Sequence, residues 1–170
     1  MAASMGMQEM DLVDIGGGFT LICPDSGTNF EEIAPKIGQL LEEYFPSPHV
    51  RVIAEPGRFI SEGCLHLVCR VIGKKTTSSG HIHYYINNGV YQGFFQLKTG
   101  EEFVFQPLDD SKVRESKQST FWGQTCDSVD WVLKDQSYPE MEVGEWIYLR
   151  DHGAYNKEIV SHFNGFDFPK

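Results

Sequence analysis

The sequence predicts an α/β segment followed by an antiparallel β-sandwich or β-barrel, with the change falling near Glu62. Three observations predict it. Residues 11–54 read as strand, glycine loop, helix and strand, the order of a βαβ unit, which requires a parallel sheet. From Leu65 the hydrophobic period drops to two and turn residues recur at short intervals, as in all-β domains. Between the two regimes stands Glu55-Pro56-Gly57-Arg58. There a ring that cannot donate to a sheet ladder, and a residue with no side chain, end the second strand.

Residues 11–15 are short and apolar and suit a buried parallel strand. Gly16-Gly17-Gly18 follow at once. Successive glycines reach positive φ and leave their backbone N–H groups free to converge on an anion such as phosphate. A floppy turn is the competing reading, and neither a GxGxxG fingerprint nor a P-loop lysine is present. Residues 30–45 place Phe30, Ile33, Ile37, Leu40, Leu41 and Tyr44 at helical spacing. Thr28 with Glu31 has the form of a capping box. Pro35 suits a first turn, so the firm helix is expected from there, and Pro46 and Pro48 close it. Residues 50–54 form a second strand, also expected to be buried. Glu55 and Arg58 would project from its C-terminal end, where α/β folds hold their ligand chemistry. A turn bearing two solvated charges is the competing reading of that tetrapeptide.

In the second regime Leu65, Leu67, Cys69 and Val71 alternate with His66, Val68, Arg70 and Ile72 as a strand. Residues 73–80 read as a loop and 81–86 as a strand, and Asn87-Asn88-Gly89 is a strong turn signal. Residues 90–97 are aromatic-rich and strand-like, with Gly93 marking a bulge. Residues 103–105, 119–122 and 146–149 read as further short strands, with a charged loop over 109–117. His81 and His83 share one face of their strand. Histidines two apart can ligate a metal, but a solvated face accounts for them, and no metal ligand or catalytic histidine is assigned.

Composition narrows the classes of function. At 170 residues the chain is one large domain or two small ones. Acidic residues outnumber basic ones 24 to 14, which argues against a nucleic-acid binder and against adhesion to anionic membranes. No apolar run approaches the roughly 20 residues of a membrane span. Residues 1–10 lack the basic-then-apolar pattern of a secretory signal. Cys23, Cys64, Cys69 and Cys126 are irregularly spaced with no CxxC pair, so neither a disulfide framework nor a zinc site is expected. A reducing cytoplasm follows from that usage, and Cys23, Cys64 and Cys69 are expected to be buried packing residues.

The most specific stretch is Phe121-Trp122-Gly123-Gln124-Thr125-Cys126-Asp127-Ser128-Val129-Asp130. It is accompanied, in order, by Asp14-Ile15-Gly16-Gly17-Gly18, Glu55-Pro56-Gly57-Arg58, Gly153-Ala154-Tyr155 and Phe163-Asn164-Gly165-Phe166. Taken together these motifs, over residues 6–166, resemble the C-terminal portion of eukaryotic-type ornithine decarboxylases. Those belong to the pyridoxal-phosphate-dependent decarboxylases of ornithine, lysine, arginine and diaminopimelate, which join a TIM-type barrel to a β-domain. The diaminopimelate and arginine enzymes share the glycine loop and Glu-Pro-Gly-Arg, whereas WG-x-TCD-x-x-D points to the ornithine branch. The resemblance implies that residues 1–62 are the C-terminal remnant of the cofactor-binding barrel, its last two βα units, and that 63–170 are the antiparallel β-domain. It implies ornithine-to-putrescine chemistry in polyamine biosynthesis, a homodimer with shared active sites, and a possible antizyme-like regulator as partner.

By the same resemblance, Gly16, Gly17 and Gly18 match the loop that holds the phosphate of pyridoxal 5'-phosphate. Gly57, in the matching acidic turn, is also expected to be cofactor-binding. Arg58 and Tyr155 match further phosphate contacts, and Glu55 matches the carboxylate facing the pyridine nitrogen. Cys126 matches the thiol that returns a proton to the substrate's α-carbon. Asp127 matches the acid that binds the distal ammonium, both reaching into a neighbouring subunit's site. Two departures stand out. The family's Schiff-base lysine lies in the first part of the barrel, which these residues do not include, and Lys36, Lys74 and Lys75 offer no substitute. A complete barrel needs eight strands and roughly 250 residues, so the 170 residues alone are expected to be inactive. The family's Tyr-Asp pair for the distal amine is also unmatched near Thr99-Gly100, with Glu101 one position away. A non-catalytic regulator resembling antizyme inhibitor is therefore the alternative, and an unrelated β-sandwich binding module is a third. Retention of Glu55, Arg58, Cys126 and Tyr155 favours the enzyme; the altered Thr99-Gly100 region favours the regulator.

Overall fold

Parallel pairing of two short strands organises the first of two units, Met1–Gly63 and Cys64–Lys170. The computed structural model describes residues 3–7, 10–21, 27, 29–99 and 103–168. In the first unit β1 (Leu12–Asp14), α1 (Phe30–Tyr44), β2 (Arg51–Ile53) and α2 (Gly57–Ser61) follow in order. Leu12 faces Arg51 and Asp14 faces Ile53. The ladder is carried outward by Arg51 N–H on Asp11 O at 2.7 Å and Ile15 N–H on Ile53 O at 3.0 Å. The predicted βαβ order is therefore present.

Its details differ in three ways. Helix α1 starts at Phe30 because Asn29 caps it, its side-chain oxygen accepting from Glu32 N–H at 3.0 Å. Pro35 consequently lies inside the helix, and Thr28, the expected cap, is outside the described residues. Pro56 does not merely break a strand but caps the short helix α2. Phe59 of that helix packs on Phe30 with ring centroids 4.6 Å apart. The strands, finally, are not buried: Leu12 is 41% exposed, and Val52 and Ile53 are each 43% exposed. A parallel strand is covered only when helices lie on both faces of a wider sheet; among the described residues this sheet has two strands.

The second unit is one six-stranded sheet. Its strands are β3 (Leu67–Thr76), β4 (Ile82–Ile86), β5 (Gln106–Pro107), β6 (Ser116–Trp122), β7 (Trp131–Pro139) and β8 (Trp146–Leu149), in the spatial order β5-β8-β3-β4-β6-β7. All neighbours are antiparallel except β4 and β6, which run parallel with Ile82 facing Ser119 and Tyr85 facing Trp122. The sheet is thus mixed rather than antiparallel. A parallel neighbour needs a long crossover, and the chain from Ile86 to Ser116 supplies one, laying β5 on the far edge as it passes.

Alternation along β3 is as predicted, with Leu67, Cys69 and Val71 buried. That strand continues to Thr76, through the stretch expected to be a loop, after a bulge between Val71 and Gly73. Gly73 allows it, since a Cβ there would press on the Tyr85 ring at 3.2 Å. Residues 90–97 do not form the expected strand. The N–H groups of Gln92, Gly93 and Phe94 all converge on Gly89 O, and turn closure uses the donors a ladder would need; a 3-10 helix, Phe95–Thr99, follows. Strand β5 falls just beyond the predicted 103–105. Strand β7 was hidden by the polar run 134–137, which is exposed while Val132, Leu133 and Tyr138 are buried. Of the thiols, Cys69 is fully buried, and burial pushes it up to about 12. Cys64 is exposed, contrary to expectation, and Cys23 lies outside the described residues. The two strand histidines are engaged by neighbours: Trp122 Nε1–H donates to His83 Nδ1 at 3.0 Å, and His81 Nε2 lies 3.0 Å from Thr120 Oγ1.

Aromatic rings fill the core of this unit. Phe121 packs on Tyr84 at 4.6 Å and on Tyr138 at 4.8 Å between centroids. The buried Met141 N–H donates to Tyr84 Oη at 2.9 Å. Tyr84→Phe should therefore cost about 1–3 kcal/mol by stranding that donor, and Phe121→Ala about 3–5 kcal/mol by opening a cavity. Denaturant titration of the purified protein checks both; equal stability for Tyr84→Phe and wild type would show that the phenol contributes nothing.

Candidate functional site

In the first unit the turn after β1 and the turn after β2 close on each other. Glu55 N–H donates to Gly16 O at 2.7 Å, and Gly16 N–H donates to Asp14 Oδ1 at 2.8 Å. Gly17 lies so near the second turn that a Cβ would sit 2.0 Å from Glu55 O. Gly16 and Gly18 have φ of +69° and +80°, which side chains rarely allow, with open space where each Cβ would point. The sequence-predicted residues Gly16, Gly17, Gly18 and Glu55 are thus brought together. Gly57 opens α2 and donates to Glu55 O at 2.8 Å. The Arg58 guanidinium reaches Glu62 Oε1 at 3.4 Å, and the same carboxylate accepts from Leu21 N–H at 2.8 Å.

In the second unit the loop between β6 and β7 carries Cys126 and Asp127, and a buried carboxylate shapes it. Asp130 is 1% exposed. Its Oδ2 accepts from Thr125 N–H at 2.9 Å and Thr125 Oγ1–H at 2.7 Å; its Oδ1 accepts from Val90 N–H at 2.9 Å. Gly123 N–H closes on Asp130 O at 2.7 Å. A Cβ at Gly89 or at Gly123 would each lie 2.2 Å from Asp130 Oδ1, so both glycines are required by the close approach. One side chain therefore joins the 88–91 turn to the 123–130 loop.

That junction positions Tyr91 over the loop. Tyr91 Oη–H donates to Asp127 Oδ2, and Val129 N–H donates to Asp127 Oδ1 at 3.0 Å. The Tyr91 hydrogen bond, with the Val129 N–H behind it, holds the Asp127 carboxyl below its ordinary value. The same contact raises the Tyr91 phenol. Asn164 Nδ2–H donates to Cys126 Sγ at 3.3 Å. The exposed Lys98, in the region that departs from the family pattern, sits 3.9 Å above the Trp131 ring. Burial lowers its proton affinity, opposed by the fields of Asp130 and Asp127. Gly100 and Glu101 lie outside the described residues.

Tyr155, also in the second unit, is 53% exposed and has φ of 53°. Its turn is clamped from beneath: Asn156 Nδ2–H donates to Ala154 O at 2.8 Å and His152 O at 3.1 Å, and Gln96 Nε2–H also donates to Ala154 O. The sequence reading missed Tyr91 and the organising role of Asp130. Asp130 was visible as the last residue of the WG-x-TCD-x-x-D string; Tyr91 carried no local signal because its partner is distant in sequence. Among the described residues no cluster of three or more His, Cys, Asp or Glu side chains is arranged to hold a metal.

Residues 22–153 match the family described as pyridoxal-dependent decarboxylase, C-terminal sheet domain. The chain is 39% identical to ornithine decarboxylase of Caenorhabditis elegans over 95% of its own length and 41% of that protein. It is 38% identical to antizyme inhibitor 2 of Xenopus laevis over 98% of its length and 39% of that protein. Among solved structures, it superposes on lysine/ornithine decarboxylase from Vibrio vulnificus complexed with cadaverine with a TM-score of 0.86 at 28% identity. That match covers 98% of this chain and 45% of the other. On the Paramecium bursaria Chlorella virus arginine decarboxylase the TM-score is 0.85 at 32% identity, covering 99% of this chain and 45% of that one. The chain thus spans about two fifths of the length of the curated relatives it matches.

The Tyr91–Asp127 contact makes a pH prediction. Because the folded Asp127 carboxyl is depressed, its contribution to stability is present above its unfolded value near 4 and fades as pH falls through the lower folded value. Tyr91→Phe should move the folded value up towards the ordinary one and narrow that window. Carboxyl-detected NMR titration measures it; an unchanged Asp127 midpoint would contradict the assignment.

Proposed function

The chain belongs to the pyridoxal-dependent decarboxylase family, whose C-terminal sheet domain it carries, and on that footing we propose that it is the C-terminal part of an amino-acid decarboxylase of the ornithine type. The observation that carries the reading is the pair of prepared loops. One is the glycine turn closed against Glu55. The other is the Asp130-shaped loop presenting Cys126 and Asp127. The β1-α1-β2 unit is read as the last two βα units of a TIM-type barrel. Its exposed strand faces support that reading, since a completed barrel would cover them.

The residues fit pyridoxal 5'-phosphate. Gly16, Gly17 and Gly18 make a turn whose space is closed to side chains on one side and open on the other, which suits a phosphate held by backbone N–H groups. Arg58, oriented by Glu62, supplies a guanidinium to that phosphate. When bound, the cofactor supplies an electron sink for the pair left as CO₂ departs. Glu55 keeps the ring nitrogen protonated, which sustains that withdrawal. Cys126 delivers a proton to the substrate's α-carbon, and Asp127 receives the polar end of the substrate side chain. In this reading both act on a neighbouring subunit's site in a homodimer, and the protein works in a reducing, cytoplasmic setting.

The second reading is a non-catalytic regulator of polyamine metabolism, related to antizyme inhibitors. Two features favour it: the 38% identity to antizyme inhibitor 2, and the departure from the family's Tyr-Asp pair at Thr99-Gly100. One experiment separates the readings. The 170 residues are joined behind the N-terminal barrel portion of the nematode ornithine decarboxylase, and CO₂ release is followed. Decarboxylation that falls about 10²–10⁴-fold with Cys126→Ala is the expected result. A chimera that folds and holds the cofactor but releases no CO₂ from any diamino acid would overturn the enzyme reading in favour of the regulator. The 170 residues alone should show no lysine-bound cofactor absorbance after dialysis.

A further inference from the structure

Two side chains of the Phe163-Asn164-Gly165-Phe166 motif touch the candidate site. Asn164 Nδ2–H donates to Cys126 Sγ at 3.3 Å. Phe163 packs on Tyr91 with ring centroids 4.5 Å apart, and Tyr91 in turn donates to Asp127. The backbone adds a third tie, Ser161 N–H on Tyr91 O at 2.9 Å. The segment is closed on itself by Gly165 N–H on His162 O at 2.9 Å and by His162 Nδ1 with Asp167 Oδ1 at 2.7 Å.

Its conformation is bent towards that contact. Asn164 has φ of 56° and ψ of 19°, the left-handed region that disfavours side chains by about 1 kcal/mol or more, though asparagine tolerates it best. Glycine would adopt this backbone without strain. The presence of asparagine at that position is therefore explained by its side chain, which donates to the thiol.

We propose that Phe163 and Asn164 are positioning residues of the proton-donor loop: Asn164 aims the Cys126 sulfur, while Phe163 fixes the Tyr91 ring that anchors Asp127. A side-chain torsion with one staggered well favoured by a hydrogen bond stays in that well, so the Asn164 donor sets which way the Cys126 sulfur points. The inference rests on the reading of Cys126 as proton donor, but its test does not require catalysis.

The Cys126 χ1 rotamer in the purified chain is read from its Hα–Hβ NMR couplings. Asn164→Gly keeps the backbone and removes the donor. It should replace the couplings of one staggered rotamer with averaged ones, while the amide shifts of the β3 core stay in place. Asn164→Asp, which presents no donor to the sulfur, should average them as well. A purely structural role would leave the couplings those of one rotamer in both variants, and that result would overturn the proposal. Phe163→Leu should raise the Asp127 carboxyl midpoint while leaving the Cys126 couplings unchanged. Averaged couplings together with a decarboxylase-inactive chimera would retain the positioning role and remove only the enzyme reading.

Discussion

The Asp130 carboxylate is the constraint on which the candidate chemistry of the second unit depends. Removing a carboxylate from water is costly unless its lone pairs are met by donors. Here three donors from two separate segments meet them, Val90 N–H, Thr125 N–H and Thr125 Oγ1–H. Two glycines, Gly89 and Gly123, come close enough that no other residue fits. The exposed candidate residues in the neighbourhood are built outward from this buried point. Tyr91 ends the 88–91 turn, Cys126 and Asp127 crown the 123–130 loop, and the 163–164 pair rests on both. Rigid presentation of exposed polar groups by a buried polar anchor is what the proton-donor role proposed for Cys126 would need.

A different solution holds the first unit's loops. There the backbone itself supplies the contacts, Glu55 N–H on Gly16 O and the bare Gly17 against Glu55 O. The acid is positioned because the strand ends are parallel neighbours and their following turns share one edge. Arg58, by contrast, is held by Glu62 on its own helical turn.

Much of this was legible in the sequence and some was not, for physical reasons. Alternation along 65–72 and helical spacing along 30–45 report local geometry directly, so β3 and α1 were readable. The glycine turn and the Glu-Pro-Gly-Arg turn were readable because glycine and proline restrict or free the backbone whatever surrounds them. Strand β7 escaped because its outward residues, 134–137, are all polar and break the apolar pattern; burial of Val132, Leu133 and Tyr138 is decided by β6, not by local period. Residues 90–97 looked like a strand since aromatic content is ambiguous. Three N–H groups gathered by Gly89 O decide otherwise. The parallel β4–β6 pair could not be read from two strand-like segments, because direction depends on where the intervening chain goes. At the site, Cys126 and Asp127 were found through a contiguous string, whereas Tyr91 and Asn164 act across 36 and 38 residues of sequence.

The most direct test of the Asp130 account is amide hydrogen exchange in wild type and Asp130→Asn, comparing Val90 and Thr125 with the core of β3. If the carboxylate joins the two segments, exchange at Val90 and Thr125 should accelerate by an order of magnitude or more beyond any change at Cys69 and Val71. Protection at Val90 and Thr125 that stays level with the β3 core would contradict it.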